Sequence, residues 1–298
     1  MYKHNDIIIE LESFKLFFEN QNIHQNIQKN ILRNSLLKSA RFSSKIENAD
    51  TKLEIDNLYR AYLYITSNKC PKTISINLLK NLHKKVMDKM LPDAGSFRTE
   101  PCAIYNTAGV AIYLAPPAQK IRHLLDELIR EFNQSQDHPL IKAAIFQFKF
   151  EKIHPFLDGN GRIGRLISYL IMYQNGYSFN GYLSPEEYIS KFREIYYDSL
   201  EPSKDYQPFV SFFLESILNQ IKFSYNHLNN PDSLSNLLPR RREIYETIKD
   251  HPNCTFDFIH RRFLSINPKT IHYDLYKLQK EHLIIKAGVS RGVTYTVK

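Results

Sequence analysis

The chemistry in this chain is concentrated in one short stretch. From His154 it reads HPFLDGNGRIGR, and it holds three of the nine glycines in 298 residues. Upstream, FQFKFEKIHPF has helical character that must stop at Pro155, because the residue before a proline is steered out of the helical region. Downstream, RIGRLISYLIMY restores an apolar helical rhythm. The glycines therefore lie in a loop feeding a helix N-terminus. There backbone N–H groups can turn inward as an anion nest, and the helix dipole adds positive potential. Arg162 and Arg165 stand in the first turn of the new helix and lean over that nest. Such convergence suits a polyphosphate better than a single carboxylate. Asp158 contributes a hard oxygen, the usual way to hold Mg²⁺ beside phosphates. His154 is the nearby group whose ordinary pKa permits general-base work at neutral pH.

Other phosphate motifs fail. There is no GxxxxGK[ST], and GNGRIG follows a helix instead of the strand that a dinucleotide fold needs. An EF-hand starting at Asp158 would place Arg162 and Ile163 where a ligand and a glycine belong, and Tyr169 where glutamate belongs. A purely structural reading, with the glycines as caps and the arginines solvated, must explain two cations set against the helix dipole.

HPFLDGNGRIGR resembles the signature of the Fic family, HPFx[D/E]GNGRxxR, at every fixed position. The resemblance extends upstream through FKFEKIHPF to a hairpin with a Pro-Pro exit, and downstream to FVSFFLESI. It covers most of residues 30–225. It implies transfer of AMP from ATP to a Tyr, Ser or Thr hydroxyl of a target protein, with release of pyrophosphate. On that reading His154 takes the hydroxyl proton and Asp158 holds Mg²⁺ on the phosphates. Gly159, Asn160 and Gly161 line the anion hole, Gly164 belongs to the same nucleotide loop, and Phe156 packs inward. Arg162 and Arg165 neutralise the leaving phosphates. Gly109, Val110, Ala111, Ile112 and Tyr113 form the flap that registers the target by strand-like pairing. Tyr196 and Tyr197 stand as adenine-pocket candidates, with core packing the other reading.

SARFSSKIENAD places Ser43 and Glu47 on one helix face, followed by Asn48. It is similar to the family's inhibitory pattern, [S/T]xxxE[G/N]. That implies a pair between Glu47 and Arg165 that obstructs the γ-phosphate.

The elements that must position these groups are mostly helices. Apolar residues recur at helical spacing through 74–90, 121–132, 141–150 and 209–221. The exception is CAIYNTAGVAIYL, which reads as one β-hairpin packed on a helical body. HLNNPDSLSNLLP, rich in Asn, Ser and Pro, marks a boundary. Beyond it, helices near 240–250 and 256–263, a third opening at Pro268, and two β-runs around Gly288 and Gly292 follow the order of a winged helix-turn-helix. The expected fold is thus mainly α: a Fic-type helical bundle with a hairpin flap, plus a small winged helix. Its parts are an N-terminal region over 1–73 carrying the inhibitory helix, a core over 74–228, and the winged helix over 239–298.

The net charge is +9, and residues 239–298 hold 12 Lys/Arg against 6 Asp/Glu. That asymmetry suggests docking to DNA or to a protein, with Lys269, Lys277, Lys280 and Arg291 toward phosphates, although His272, Tyr273, Asp274 and Tyr276 make a poor base-reading set. Three widely spaced cysteines and no apolar run of membrane length point to the cytoplasm and away from membranes. The resemblance also implies pairing into homodimers, and leaves two further activities open. One is AMP removal directed by the inhibitory glutamate. The other is a transcription regulator that only senses nucleotide.

Overall fold

In a computed structural model the described residues are all but 1–3, 50, 106–110, 202–204, 230–236, 282, 289–291 and 298. They divide into two units, Met1–Lys222 and Phe223–Lys298.

The first unit runs α1 (Asn5–Glu19), α2 (Gln25–Ile46), α3 (Lys52–Ile65), α4 (Ile76–Val86), β1 (Ala103–Tyr105), β2 (Ala111–Leu114), α5 (Ile121–Gln134), α6 (Pro139–Ile153), α7 (Asn160–Gln174), α8 (Glu186–Lys191), α9 (Arg193–Ser199) and α10 (Gln207–Asn229), which continues into the second unit. Caps written in the sequence set the starts. Thr51, Ser75 and the His138 ring accept backbone N–H groups at the openings of α3, α4 and α6, and Pro139 occupies the first turn of α6. α7 is buried on nearly every side, so it is the axis around which α2, α3, α4 and α6 pack. Phe146, Phe150, Phe156, Ile163, Leu166 and Leu170 are buried in the core of this unit, Phe146 against Phe132 of α5 and Phe156 against His83 of α4. β1 and β2 pair antiparallel, with an irregularity after Ile104.

Boundaries follow local chemistry. The helix expected over 74–90 ends at Val86, and Lys89 turns left-handed at φ 59°. α6 begins earlier than its apolar rhythm, at Pro139, because the rhythm does not report the capping turn.

The second unit contains α11 (Pro239–Asp250), β3 (Cys254–Thr255), α12 (Phe256–His260), α13 (Pro268–Lys280), β4 (Ile284–Ala287) and β5 (Thr294–Val297). Its strands form an antiparallel sheet in the order β3-β5-β4. Ile244, Ile248, Ile271, Leu275, Leu278 and Tyr295 make its core. β3, two residues long, gives no periodic signal in the sequence. Among the described residues no helix is long and apolar enough to cross a membrane.

Candidate active site

α6 delivers the histidine. His154 caps that helix in the left-handed region (φ 48°, ψ 59°), its N–H bonded to the Phe150 carbonyl at 3.0 Å. Few non-glycine residues adopt this conformation, and it turns the chain sharply into the loop. Arg98, a buried residue not singled out in the sequence, braces the turn. Its Nε donates to the His154 carbonyl at 2.8 Å, Nη2 to Pro116 at 2.6 Å and Nη1 to Glu100 at 2.9 Å. The exit of the hairpin and the backbone of the histidine thus share one guanidinium. Burial pushes the His154 pKa below the ordinary imidazole value, against an upward pull from the Glu151 carbonyl.

The loop holds its shape by spending its own polar groups. Asn160 Oδ1 accepts the Phe156 N–H and Asn160 Nδ2 donates to the Phe156 carbonyl, both at 2.9 Å. That pair of bonds closes the loop and uses one of the two N–H donors of the amide. Gly159 sits at φ 82° as the N-cap of α7, a conformation that side chains disfavour. His83, also unforeseen, is 1% exposed and stacks on Phe156 at 3.7 Å and 5°. Its Nε2 lies 2.9 Å from the Asp158 carbonyl, and its Nδ1 accepts the Gly95 N–H at 2.8 Å. A carbonyl only accepts and an N–H only donates, so His83 is a neutral imidazole protonated at Nε2. Burial, which lowers its pKa, favours the same form.

Each loop arginine has a carboxylate. Arg165, 1% exposed, donates from Nη2 to Glu47 Oε1 at 2.7 Å and to the Ser43 carbonyl at 3.0 Å, and from Nε to Ser43 Oγ at 3.0 Å. A methyl group added at Gly161 would collide with Glu47 Oε1, so the carboxylate lies directly on the first turn of α7. Arg162 donates to Glu54 Oε1 at 2.9 Å and to Asp158 Oδ1 at 2.7 Å. Glu54 is a third residue that motif reading passes over. Its only local sign is the Thr51-x-x-Glu54 spacing of a helix start.

The remaining candidates lie at the back and edges of the site or outside the described residues. Tyr196 is 1% exposed, and its hydroxyl accepts from Arg165 Nη1 at 3.3 Å and Gln147 at 3.2 Å. It backs the arginine and does not wall an open pocket. Tyr197 donates to the Ile46 carbonyl at 3.2 Å, beside the end of α2. Gly164 faces Glu151 and Gln147 on α6, so it permits helix–helix contact and is turned away from the nest. Glu151, in that contact, is pushed up to about 8 by burial. Of the flap, Gly109 and Val110 lie outside the described residues, and Ala111 and Ile112 are described as backbone only. Tyr113 donates to the Lys152 carbonyl at 2.8 Å, tying β2 to α6.

Asp158 suits a magnesium ion held mainly by a nucleotide. Its side chain is 57% exposed, and among the described residues no cluster of three or more His, Cys, Asp or Glu forms a metal cage. Mg²⁺ commonly needs one or two carboxylates, with waters and phosphates completing its shell.

A helical bundle with a hairpin, a histidine at a helix end and a glycine loop opening the next helix defines the Fic class of fold. Residues 73–172 match the Fic/DOC family, and the chain carries a Fic domain. Protein adenylyltransferase fic-1 of Caenorhabditis elegans is 31% identical over 187 residues, 59% of this chain and 35% of the relative. Protein adenylyltransferase Fic of Drosophila erecta is 29% identical over 174 residues, 57% and 33% of the two chains. This chain thus spans about a third of the length of those relatives. A crystal structure of a Fic family protein from Desulfovibrio desulfuricans superposes with a TM-score of 0.64 at 20% identity, covering 100% of this chain and 96% of that one. A fragment of Caenorhabditis elegans Fic-1 gives 0.63 at 20% identity over 76% and 73%.

Proposed function

We propose that this protein is an adenylyltransferase that moves AMP from ATP to a hydroxyl side chain of a target protein and is restrained by Glu47. The observation that carries the reading is the seat of the Glu47 carboxylate, on Gly161 and against Arg165 at 2.7 Å. An anion from the chain itself stands where a helix N-terminus and an arginine would receive phosphate.

In the reaction, His154 Nε2 takes the proton of the target hydroxyl as its oxygen attacks the α-phosphorus. The new P–O bond forms while the bond to the β-phosphate oxygen breaks, and pyrophosphate leaves with the electron pair. The neutral state favoured by burial leaves His154 ready to accept that proton. The amides that open α7, together with Arg165 once Glu47 has withdrawn, stabilise the charge on the departing phosphates. Asp158 would hold Mg²⁺, which supplies further charge neutralisation at those phosphates. Three free cysteines suit a cytoplasmic setting.

The test is incubation of the Glu47→Gly variant with ATP labelled at the α- or the γ-phosphate. Label from the α-position on protein, raised tenfold or more over wild type, is the expected result. Label from neither position would leave nucleotide sensing as the function, and loss of AMP from a pre-modified target would indicate hydrolysis.

The second unit supports a docking role. We infer that it is a winged helix whose α13 meets duplex DNA. Lys269, His272, Tyr273, Tyr276 and Lys280 are exposed on that helix. Its one acid, Asp274, is buried and paired with Arg240 at 2.6 Å and Arg241 at 2.8 Å. The outward side of α13 therefore carries cations and aromatics without an acid, which suits a phosphate backbone. Arg291 lies outside the described residues. Full-length protein titrated onto duplex DNA at several salt concentrations should lose about two units of log–log slope when Lys269 and Lys280 become Glu. The same charge change at the exposed Lys69 and Lys72 should lose none. Equal loss in both variants would reduce the binding to general positive charge.

A further inference from the structure

The helices beside the loop contribute two glutamates, and they differ in kind. Glu47 ends α2 and pairs with Arg165, while Glu54 opens α3 and pairs with Arg162. The Glu47 side chain is 26% exposed and the Glu54 side chain 0%. One carboxylate can leave into solvent; the other cannot.

The path of Glu54 is unusual for its position. Thr51 Oγ1 accepts the Glu54 N–H at 3.3 Å, as in a capping box. In that motif the glutamate side chain returns to the backbone of the cap residue. Here it reaches across 108 positions to Arg162 Nη1 at 2.9 Å. The other amino group, Nη2, donates to Asp158 Oδ1 at 2.7 Å. Glu54, Arg162 and Asp158 thus form a line in which the arginine gives one amino group to each carboxylate. Glu54 also takes a hydrogen bond from Ser44, while among the described residues Arg162 Nε is buried without a partner. A buried ion pair with a bond left unmade is a poor device for stability. What it supplies is position.

We propose that Glu54 is a positioning residue that holds Arg162 to a single contact with Asp158 and so keeps that carboxylate available to a divalent cation on the nucleotide. Without the Glu54 charge, Arg162 is free to turn its planar fork onto Asp158 in the bidentate manner that guanidinium groups favour. The arginine then competes with the metal for the same oxygens. Glu54 therefore acts in the sense opposite to Glu47: loss of Glu47 frees the site, and loss of Glu54 impairs it. The inference rests on the reading of Asp158 as the metal ligand of the proposed reaction.

The test uses binding, so it survives failure of the transfer reading. The full chain carrying Glu47→Gly is titrated with α,β-methylene ATP, once with Mg²⁺ and once with EDTA. The ratio of the two affinities is the contribution of the metal at the site. Adding Glu54→Gln should shrink that ratio about tenfold, the usual scale when a group supporting a metal ligand is lost, whereas Glu54→Asp should restore most of it. Affinity in EDTA should change little. An unchanged ratio in a folded Glu54→Gln protein overturns the proposal, and so does a rise in α-label transfer like that of Glu47→Gly, which would make Glu54 a second restraint. Should Glu54→Gln not fold, Glu54→Gln with Arg162→Gln removes both buried charges. The proposal expects the double variant to keep a full ratio, because no guanidinium is left to compete, and a tenfold lower ratio there overturns it.

Discussion

At the scale of single residues, burial favours the neutral form of both histidines at the loop. As the proposed base His154 must be neutral, and burial holds its pKa below the ordinary imidazole value of about 6.5. Transfer by the Glu47→Gly protein should therefore stay flat through neutral pH and fall only as the pH drops past that lowered pKa. An acid limb centred above about 6.5 would contradict the assignment. His154→Ala should keep nucleotide binding while transfer drops by roughly 10²-fold or more. The loop was legible in the sequence because its chemistry is local: glycine, arginine, acid and histidine must lie within a few positions to share one helix start. His83, Arg98 and Glu54 were not. They act across 75, 56 and 108 positions, and a His, Arg or Glu in a helix or turn carries no sign of a distant partner. Tyr196 was left between a pocket wall and core packing, because its sequence pattern does not show the arginine that it backs.

Among elements, α7 matters most, since its first turn serves both the proposed restraint and the proposed reaction. Glycine at 161 leaves room for the Glu47 carboxylate, and a methyl group there would collide with it. Removing Glu47 and adding that methyl separates two effects. If Gly161 served only to accommodate Glu47, Gly161→Ala would be silent in the Glu47→Gly background. Because phosphate is expected on the same turn, transfer should instead fall by tenfold or more, since small displacements at the reacting atoms carry penalties of about 10²-fold. Scoring α-label per mole of folded protein decides the matter. The rhythm of apolar residues located α5, which buries the stripe Ile121, Leu125 and Leu128, and α7, whose apolar run is buried on nearly every side. It missed β3, whose two residues are too few to show a period.

For the whole molecule, the chain separates into two units with cores of their own. The cluster around Ile244, Ile271 and Leu278 contains only residues of the second unit. Ile271 is 0% exposed, so Ile271→Ala should cost that unit about 2–5 kcal/mol. Calorimetry of the full chain should show the transition of the second unit moving to lower temperature. Nucleotide binding by the first unit should persist at temperatures just above that lowered transition. Loss of binding in step with the second unit would mean that the units fold as one. The change of composition near 227–239 lies a few residues beyond the division at 222/223, because α10 runs on to Asn229 and its helical pattern hides the point of separation.

Glu47 stands at the C-cap of α2, and not within the helix. Its carbonyl neighbour Ile46 is held by Tyr197, and Asn48, left-handed at φ 58°, by Arg193 at 2.7 Å. Fraying that final turn withdraws the carboxylate while the rest of α2 stays in place, a local opening far smaller than unfolding. On the proposed reading, basal transfer by the wild-type chain would measure how often the turn is open. A hundredfold gain in Glu47→Gly would correspond to an open population of about 1% and a gap of roughly 2.8 kcal/mol. A ligand that favours the frayed turn by that much would bring the open form to about half of all molecules, so an activator needs only a small surface.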